Sequence, residues 1–189
     1  MPKALAQMRE EVLAYCKDKG WYDNEVPFLT AMCLLHEEAA EVGHAWRDWG
    51  LADATVGATS ENPQGHYNSK PQGVGSELAD VLIRLLDDDA RYGLRLVEDY
   101  AKHHGKFAFF EEADFLIAVN ALHGLIALAS AAWEDSFPDE DHPERFQLVR
   151  VLRYVIQMAE HYGIDLQFEY ERKMRHNRNR EYRHGGRRA

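Results

Sequence analysis

Two short acidic motifs carry the chemistry of this sequence. Glu37, Glu38 and Glu41 fall in LLHEEAAEVGHAWRDWG, residues 34–50, and Glu77 and Asp80 fall in SELADVLIRLLD, residues 76–87. Glu38 and Glu41 are i, i+3 and share a helix face, and Glu77 and Asp80 repeat that spacing. Carboxylates this close repel unless they are partly protonated or hold a cation between them. An all-oxygen donor set suits Mg²⁺ or Mn²⁺, ions that neutralise phosphate oxygens and lower the pKa of bound water. Glu41 and His44 also spell ExxH, but a di-iron bundle needs a second ExxH on a partner helix, and none is evident, so His44 is not assigned as a ligand.

At the other end, RKMRHNRNREYRHGGRR supplies the opposite charge. Lys173 and Asn177 are i, i+4 and so lie on one face of a helix continuing past the GIDL break. A basic end by itself reads as a solvated or RNA-contacting tail. Together with the upstream acids it reads as a phosphate clamp. Trp21, Tyr22, Trp46 and Trp49 flank the acidic helix; Trp46 falls on an apolar stripe, which leaves Trp49 or Trp21 to stack on a base.

The elements that hold these groups are helices. Phe28, Met32, Leu35, Ala39, Val42 and Trp46 recur at steps of three and four, as do Leu78, Val81, Leu82 and Leu85, and again Leu148, Val151, Leu152 and Val155. Strand patterns are nearly absent, so the class is all-α. Breaks fall at Gly20, in the stretch from Gly50 to Gly75, at Gly93, at Gly105, between Ser136 and Pro143, and at Gly163. Leu34, Glu38, Glu41 and Ala45 form a stripe beside the first core stripe, and Glu77, Asp80, Arg84 and Asp87 one beside the second. If those helices pack antiparallel, the carboxylates converge at the edge of the core.

The helices also repeat. FLTAMCLLHEEAAEVGHAWRD from Phe28 aligns with FLIAVNALHGLIALASAAWED from Phe115, with Phe28/Phe115, His36/His123, Trp46/Trp133 and Asp48/Asp135 identical. ELADVLIRLLDDDARYGLRLVEDY aligns with QLVRVLRYVIQMAEHYGIDLQFEY, with Val81/Val151, Tyr92/Tyr162, Gly93/Gly163 and Tyr100/Tyr170 identical. This predicts one all-α domain over 1–189, built from a first repeat at 21–107 and a second at 108–189 that form a single-chain pseudo-dimer. Where the first copy has Glu37, Glu38, Glu41, Glu77 and Asp80, the second has Gly124, Leu125, Leu128, Gln147 and Arg150. Where the second has Lys173 and Asn177, the first has His103 and Phe107. Slots that accept Leu125 and Leu128 predict a covered surface rather than a solvated one.

Composition narrows the classes. The 189 residues suffice for one well-filled core. Residues 172–189 hold eight Lys/Arg and one acid, leaving the rest of the chain with 14 basic against 31 acidic residues. An acidic body argues against general nucleic-acid binding. Cys16 and Cys33 have no framework spacing and point to a reducing cytoplasm. Met1 to Gly20 lacks the apolar run of a signal peptide. Phe115–Trp133 carries no charge and nearly reaches membrane-spanning length, but Asn120, His123 and Ser130 favour a buried bundle helix.

These segments resemble the MazG-like branch of the all-α nucleoside triphosphate pyrophosphohydrolases, whose pattern is EExxE, a spacer, ExxD and later KxxxNxxR. LLHEEAAEVGHAWRDWG, KPQGVGSELADVLIRLLD from Lys70 and KMRHNRNREYRHGGRR from Lys173 match it in order across most of the chain. The resemblance implies cleavage of a nucleoside triphosphate between the α and β phosphates. It assigns Glu38, Glu41, Glu77 and Asp80 to Mg²⁺ (with Mn²⁺ an alternative), Glu37 to the attacking water, and Lys173, Asn177 and Arg180 to the phosphates. Two departures stand out: a longer spacer before Glu77, and acids and KxxxN divided between copies. The rival expectation is a catalytically degenerate helical module that binds a nucleotide or a protein. Pairing with a second copy stays open.

Overall fold

The computed structural model describes residues 2–51, 71–102, 114–134 and 143–182, with side chains from Leu5. Among them the chain forms seven helices and no strand: α1 Pro2–Asp18, α2 Phe28–Trp49, α3 Val74–Tyr92, α4 Leu96–Lys102, α5 Phe115–Glu134, α6 Pro143–His161 and α7 Leu166–Arg178. His103, Gly105, Phe107, Asp135, most of the 50–75 stretch and the residues after Tyr182 lie outside the described residues.

Each apolar stripe is buried. Phe28, Met32, Leu35, Ala39 and Val42 of α2, Leu78, Val81, Leu82 and Leu85 of α3, and Leu148, Val151, Leu152 and Val155 of α6 join one core. Trp46 packs at its edge. Gly50 and Gly93 end α2 and α3 with positive φ, a region that costs other residues energy. Gly75 lies inside α3 rather than in the preceding loop.

Two helical hairpins, α2/α3 and α5/α6, pack through α2 against α5, while α7 lies on α3 and α4 on α6. This exchange makes the contacts reciprocal. Phe28 stacks on Trp133 at 4.5 Å between ring centroids, and Trp46 stacks on Phe115 at 5.9 Å. Phe28 meets Tyr92 edge-on, as Phe115 meets Tyr162. His36 and His123, 87 positions apart, face each other with Nδ1 atoms 2.9 Å apart. Aligned positions thus touch each other's counterparts, the pattern of a twofold interface, here within one chain.

The α5 helix has the length and hydropathy to cross a membrane. It packs on α2 and α6 and buries Ala118, Leu122, Ile126 and Ala129. Its other side departs from expectation: Leu128 is 47% exposed and Gly124 is exposed, while Leu125 is half-buried. Cover on the first hairpin comes from α1, which packs on α3 and α4. Among the described residues no helix stands in the equivalent place on α6, so the leucine slots are partly solvated. Cys16 and Cys33 are both free, the first buried and the second exposed.

Candidate active site

The α2/α3 hairpin is antiparallel: Phe28 at the start of α2 meets Tyr92 at the end of α3, and midway along α2 Glu38 Oε1 lies 3.1 Å from Arg84 Nη2. Glu38 and Glu41 thereby face Asp80. A cavity of about 400 Å³ opens between α1, α2, α3 and the end of α7, within the range of small-molecule sites. Glu37, Glu38, Glu41 and Asp80 line it, together with Asn177 and Arg180. Acids from the first half and basic or amide groups from the second therefore share one space. Glu37 and Glu41 are exposed, whereas Glu38 is half-buried and Asn177 buried. Burial, then the nearby charge of Asp80, pushes the Glu38 carboxyl above the usual range, with Arg84 opposing.

Lys173 sits behind this wall. It is 1% exposed, its Nζ lies 2.6 Å from Asp80 Oδ2 and 3.4 Å from Glu77 Oε2, and it donates to Ser76 Oγ at 2.9 Å. Ser76 in turn donates to the Pro71 carbonyl. Burial works against the Lys173 ammonium, but Asp80 and Glu77 outweigh it and hold its pKa above the ordinary lysine value. Lys173 and Glu77 meet each other but do not line the cavity, and Trp49 packs against the core away from it. Trp21 lines the cavity instead.

Residues with no motif complete the walls. Tyr15 and Cys16 come from α1 and Arg84, Asp87, Asp88 and Arg91 from α3. Burial pushes the Tyr15 hydroxyl up to about 12. Tyr22 Oη donates to Asp87 Oδ1 at 3.0 Å, and Arg91 donates to Asp87 Oδ2 at 3.0 Å while stacking over the Tyr22 ring. The Arg84 position was visible only as part of a stripe, and no residue of α1 stood out in the sequence as a site candidate.

The chain after α7 is anchored by Gly20. Its φ is +77° and an added Cβ would overlap the Tyr182 ring, while Tyr182 Oη donates to Asp23. This contact sets the path of Arg180 back over the cavity.

Whether these groups suit a divalent ion rests on the donors themselves. Asp80 and Glu41 are near enough to add to burial in raising the Glu38 pKa, and the buried Asn177 Oδ1 has no hydrogen-bond partner. An oxygen-rich, partly buried cluster with an unsatisfied acceptor fits a hard cation. Among the described residues no three His, Cys, Asp or Glu are already drawn together around a metal-sized point; Lys173 and Arg84 hold Asp80 and Glu38 instead. No protein-family model, curated protein or solved structure matches this chain.

Proposed function

We propose that the protein is a Mg²⁺-dependent nucleoside triphosphate pyrophosphohydrolase of MazG-like type, built by tandem duplication with one working site. The observation that carries this reading is the shared cavity of Glu37, Glu38, Glu41 and Asp80 with Asn177 and Arg180. The reciprocal aromatic pairs support the duplication.

Glu38, Glu41 and Asp80 would hold Mg²⁺, while Glu77 stays paired with Lys173 behind the cavity wall. Bound there, the ion supplies charge neutralisation at the phosphate oxygens and a lowered pKa for bound water. Glu37, solvent-exposed at the rim, accepts a proton from the attacking water. The water oxygen bonds to the α-phosphorus and the α–β bridging bond breaks, so pyrophosphate leaves with the electron pair. Arg180 and the Asn177 amide offset charge on the departing group. Lys173 is a positioning residue: its ammonium fixes Asp80 and Glu77 without entering the cavity.

The ion pairs Lys173–Asp80 and Arg84–Glu38 favour a second reading, a degenerate module that binds a nucleotide or a protein without chemistry. Pyrophosphate release separates the two. With Mg²⁺ or Mn²⁺ and a coupled pyrophosphatase, at least one nucleoside triphosphate should be turned over, and Glu38→Gln should abolish this while leaving the fold intact. No release from any nucleotide, with unchanged nucleotide binding, would establish the module.

A further inference from the structure

The cavity extends well past the acids. Glu38, midway along α2, faces Asp80 in the first half of α3, whereas Val26 and Ala31, just before and at the start of α2, line the cavity with Asp87, Asp88 and Arg91. Asp80 and Asp88 are eight residues apart on α3, about 12 Å along the axis. That span separates a phosphate-binding end from an end suited to a nucleoside.

Asp88 is the anomaly at that end. It is 1% exposed, and its Oδ2 is buried without a hydrogen-bond partner although it lines an open cavity. Its two neighbours in the run Asp87, Asp88, Asp89 are fully used: Asp87 by Tyr22 and Arg91, Asp89 by Arg9 and the backbone N–H groups of Leu96 and Val97. A buried acceptor left unmade costs free energy, and the nearby charges of Arg84 and Arg91 supply no hydrogen bond to that oxygen. Trp21, whose carbonyl accepts from Arg91, lines the same end, and aromatic side chains are the usual stacking partners of a planar base.

We propose that Asp88 is the base-selecting residue of this site: its Oδ2 accepts an N–H from the nucleobase, ring imino or exocyclic amine, of the nucleotide whose phosphates lie against Glu38, Glu41 and Asp80. The assignment rests on the pyrophosphohydrolase reading for the placement of the phosphates. A site built to pair a hydrogen-bonding group discriminates strongly against ligands that leave it unmatched. Asp88 thus sets which base is held, while the α2 acids set what happens to the phosphates. A base N–H on that oxygen offsets the desolvation that raises the Asp88 pKa to about 7.

The test uses the full chain and does not depend on turnover. Calorimetric titration with dAMP, dCMP, dGMP and dTMP should show one base favoured. In Asp88→Asn the ratio of favoured to disfavoured affinities should change by about tenfold or more. Trp21→Ala should weaken all four by about tenfold alike. Asp88→Asn without ligand should melt no lower than wild type, because burial is the largest influence on the carboxyl it replaces and disfavours its charge. Equal affinities in wild type, ratios unchanged in Asp88→Asn, or a markedly lowered melting temperature for that variant would overturn the proposal. Base selection through Asp88 without release of pyrophosphate from any triphosphate would remove the hydrolase reading and leave the base contact standing. Turnover lost in Glu38→Gln with base ratios untouched by Asp88→Asn would do the reverse.

Discussion

Lys173 Nζ, on the last helix, lies 2.6 Å from Asp80 Oδ2 on the third, and both are largely shielded from water. The contact joins the end of the chain to the acids of its first half. Removing one partner of such a buried pair leaves the other charge uncompensated. Lys173→Met should therefore lower stability by about 3–5 kcal/mol, measured by urea unfolding. Adding Asp80→Asn should return part of that loss, since it removes one of the two stranded carboxylates; strictly additive losses would mean the two groups do not interact.

Glu38→Gln separates function from folding. Glu38 is held above its usual pKa by burial and by Asp80, so neutralising it relieves repulsion while deleting a proposed ion ligand. Turnover should fall by about a hundredfold or more, with the melting temperature unchanged or raised. A lowered melting temperature would make Glu38 chiefly the structural partner of Arg84.

Asp88 gives a pH signature of defined sign. Its folded-state pKa of about 7 stands above its ordinary value of 3.8 because of burial, so folding favours the protonated form. The Asp88 contribution to wild-type stability therefore falls progressively as pH rises from about 4 to about 7. His36 and His123, held below their usual value by burial, act in the opposite direction as pH falls. They cancel when wild type is compared with Asp88→Asn. The stability advantage of Asp88→Asn, from urea melts, should grow from pH 5 to pH 7.5; a constant difference would contradict the assignment.

Reciprocity within the bundle predicts matched costs. Phe28 and Phe115 are 3% and 4% exposed and each stacks on the other half's tryptophan. Each change to Ala should cost about 3–5 kcal/mol in chemical unfolding. A negligible cost at one of the two positions would deny the equivalence of the halves.

Gly20 links the turn after α1 to the site. Gly20→Ala would press on Tyr182 and strain a left-handed backbone, costing about 1–2 kcal/mol. Because Arg180 follows the same path, KM for the triphosphate should rise more than kcat falls. An unchanged KM would detach Arg180 from substrate.

Much of this arrangement was legible in the residues, and the exceptions have physical reasons. Glu38 and Asp80 announced themselves because i, i+3 acids bordered apolar stripes whose pairing was nearly forced. Lys173 and Asn177 shared a face in the sequence, but spacing cannot say that one would be buried against Glu77 and the other line the cavity. The wall from Tyr15 and Cys16 was invisible because α1 reads as an ordinary amphipathic helix. The Asp87–Asp89 run resembles a solvated charge patch, yet all three are buried: Tyr22 and Arg9 are brought from far along the chain to Asp87 and Asp89, while Asp88 Oδ2 has no hydrogen-bond partner. The leucine slots misled for the opposite reason: Leu128 is apolar but lacks the cover that α1 provides on the first hairpin. Trp49 and Trp21 were equal candidates by proximity, and only the third dimension separates them.

The central claim is that the two halves of this chain act on one ligand. Anomalous scattering from a crystal soaked with Mn²⁺ and a nonhydrolysable nucleoside triphosphate tests it most directly. The account predicts an ion contacting Glu38, Glu41 and Asp80, with the same triphosphate reaching Asn177 and Arg180. An ion held away from these carboxylates, or a triphosphate bound beyond reach of Arg180, would contradict it.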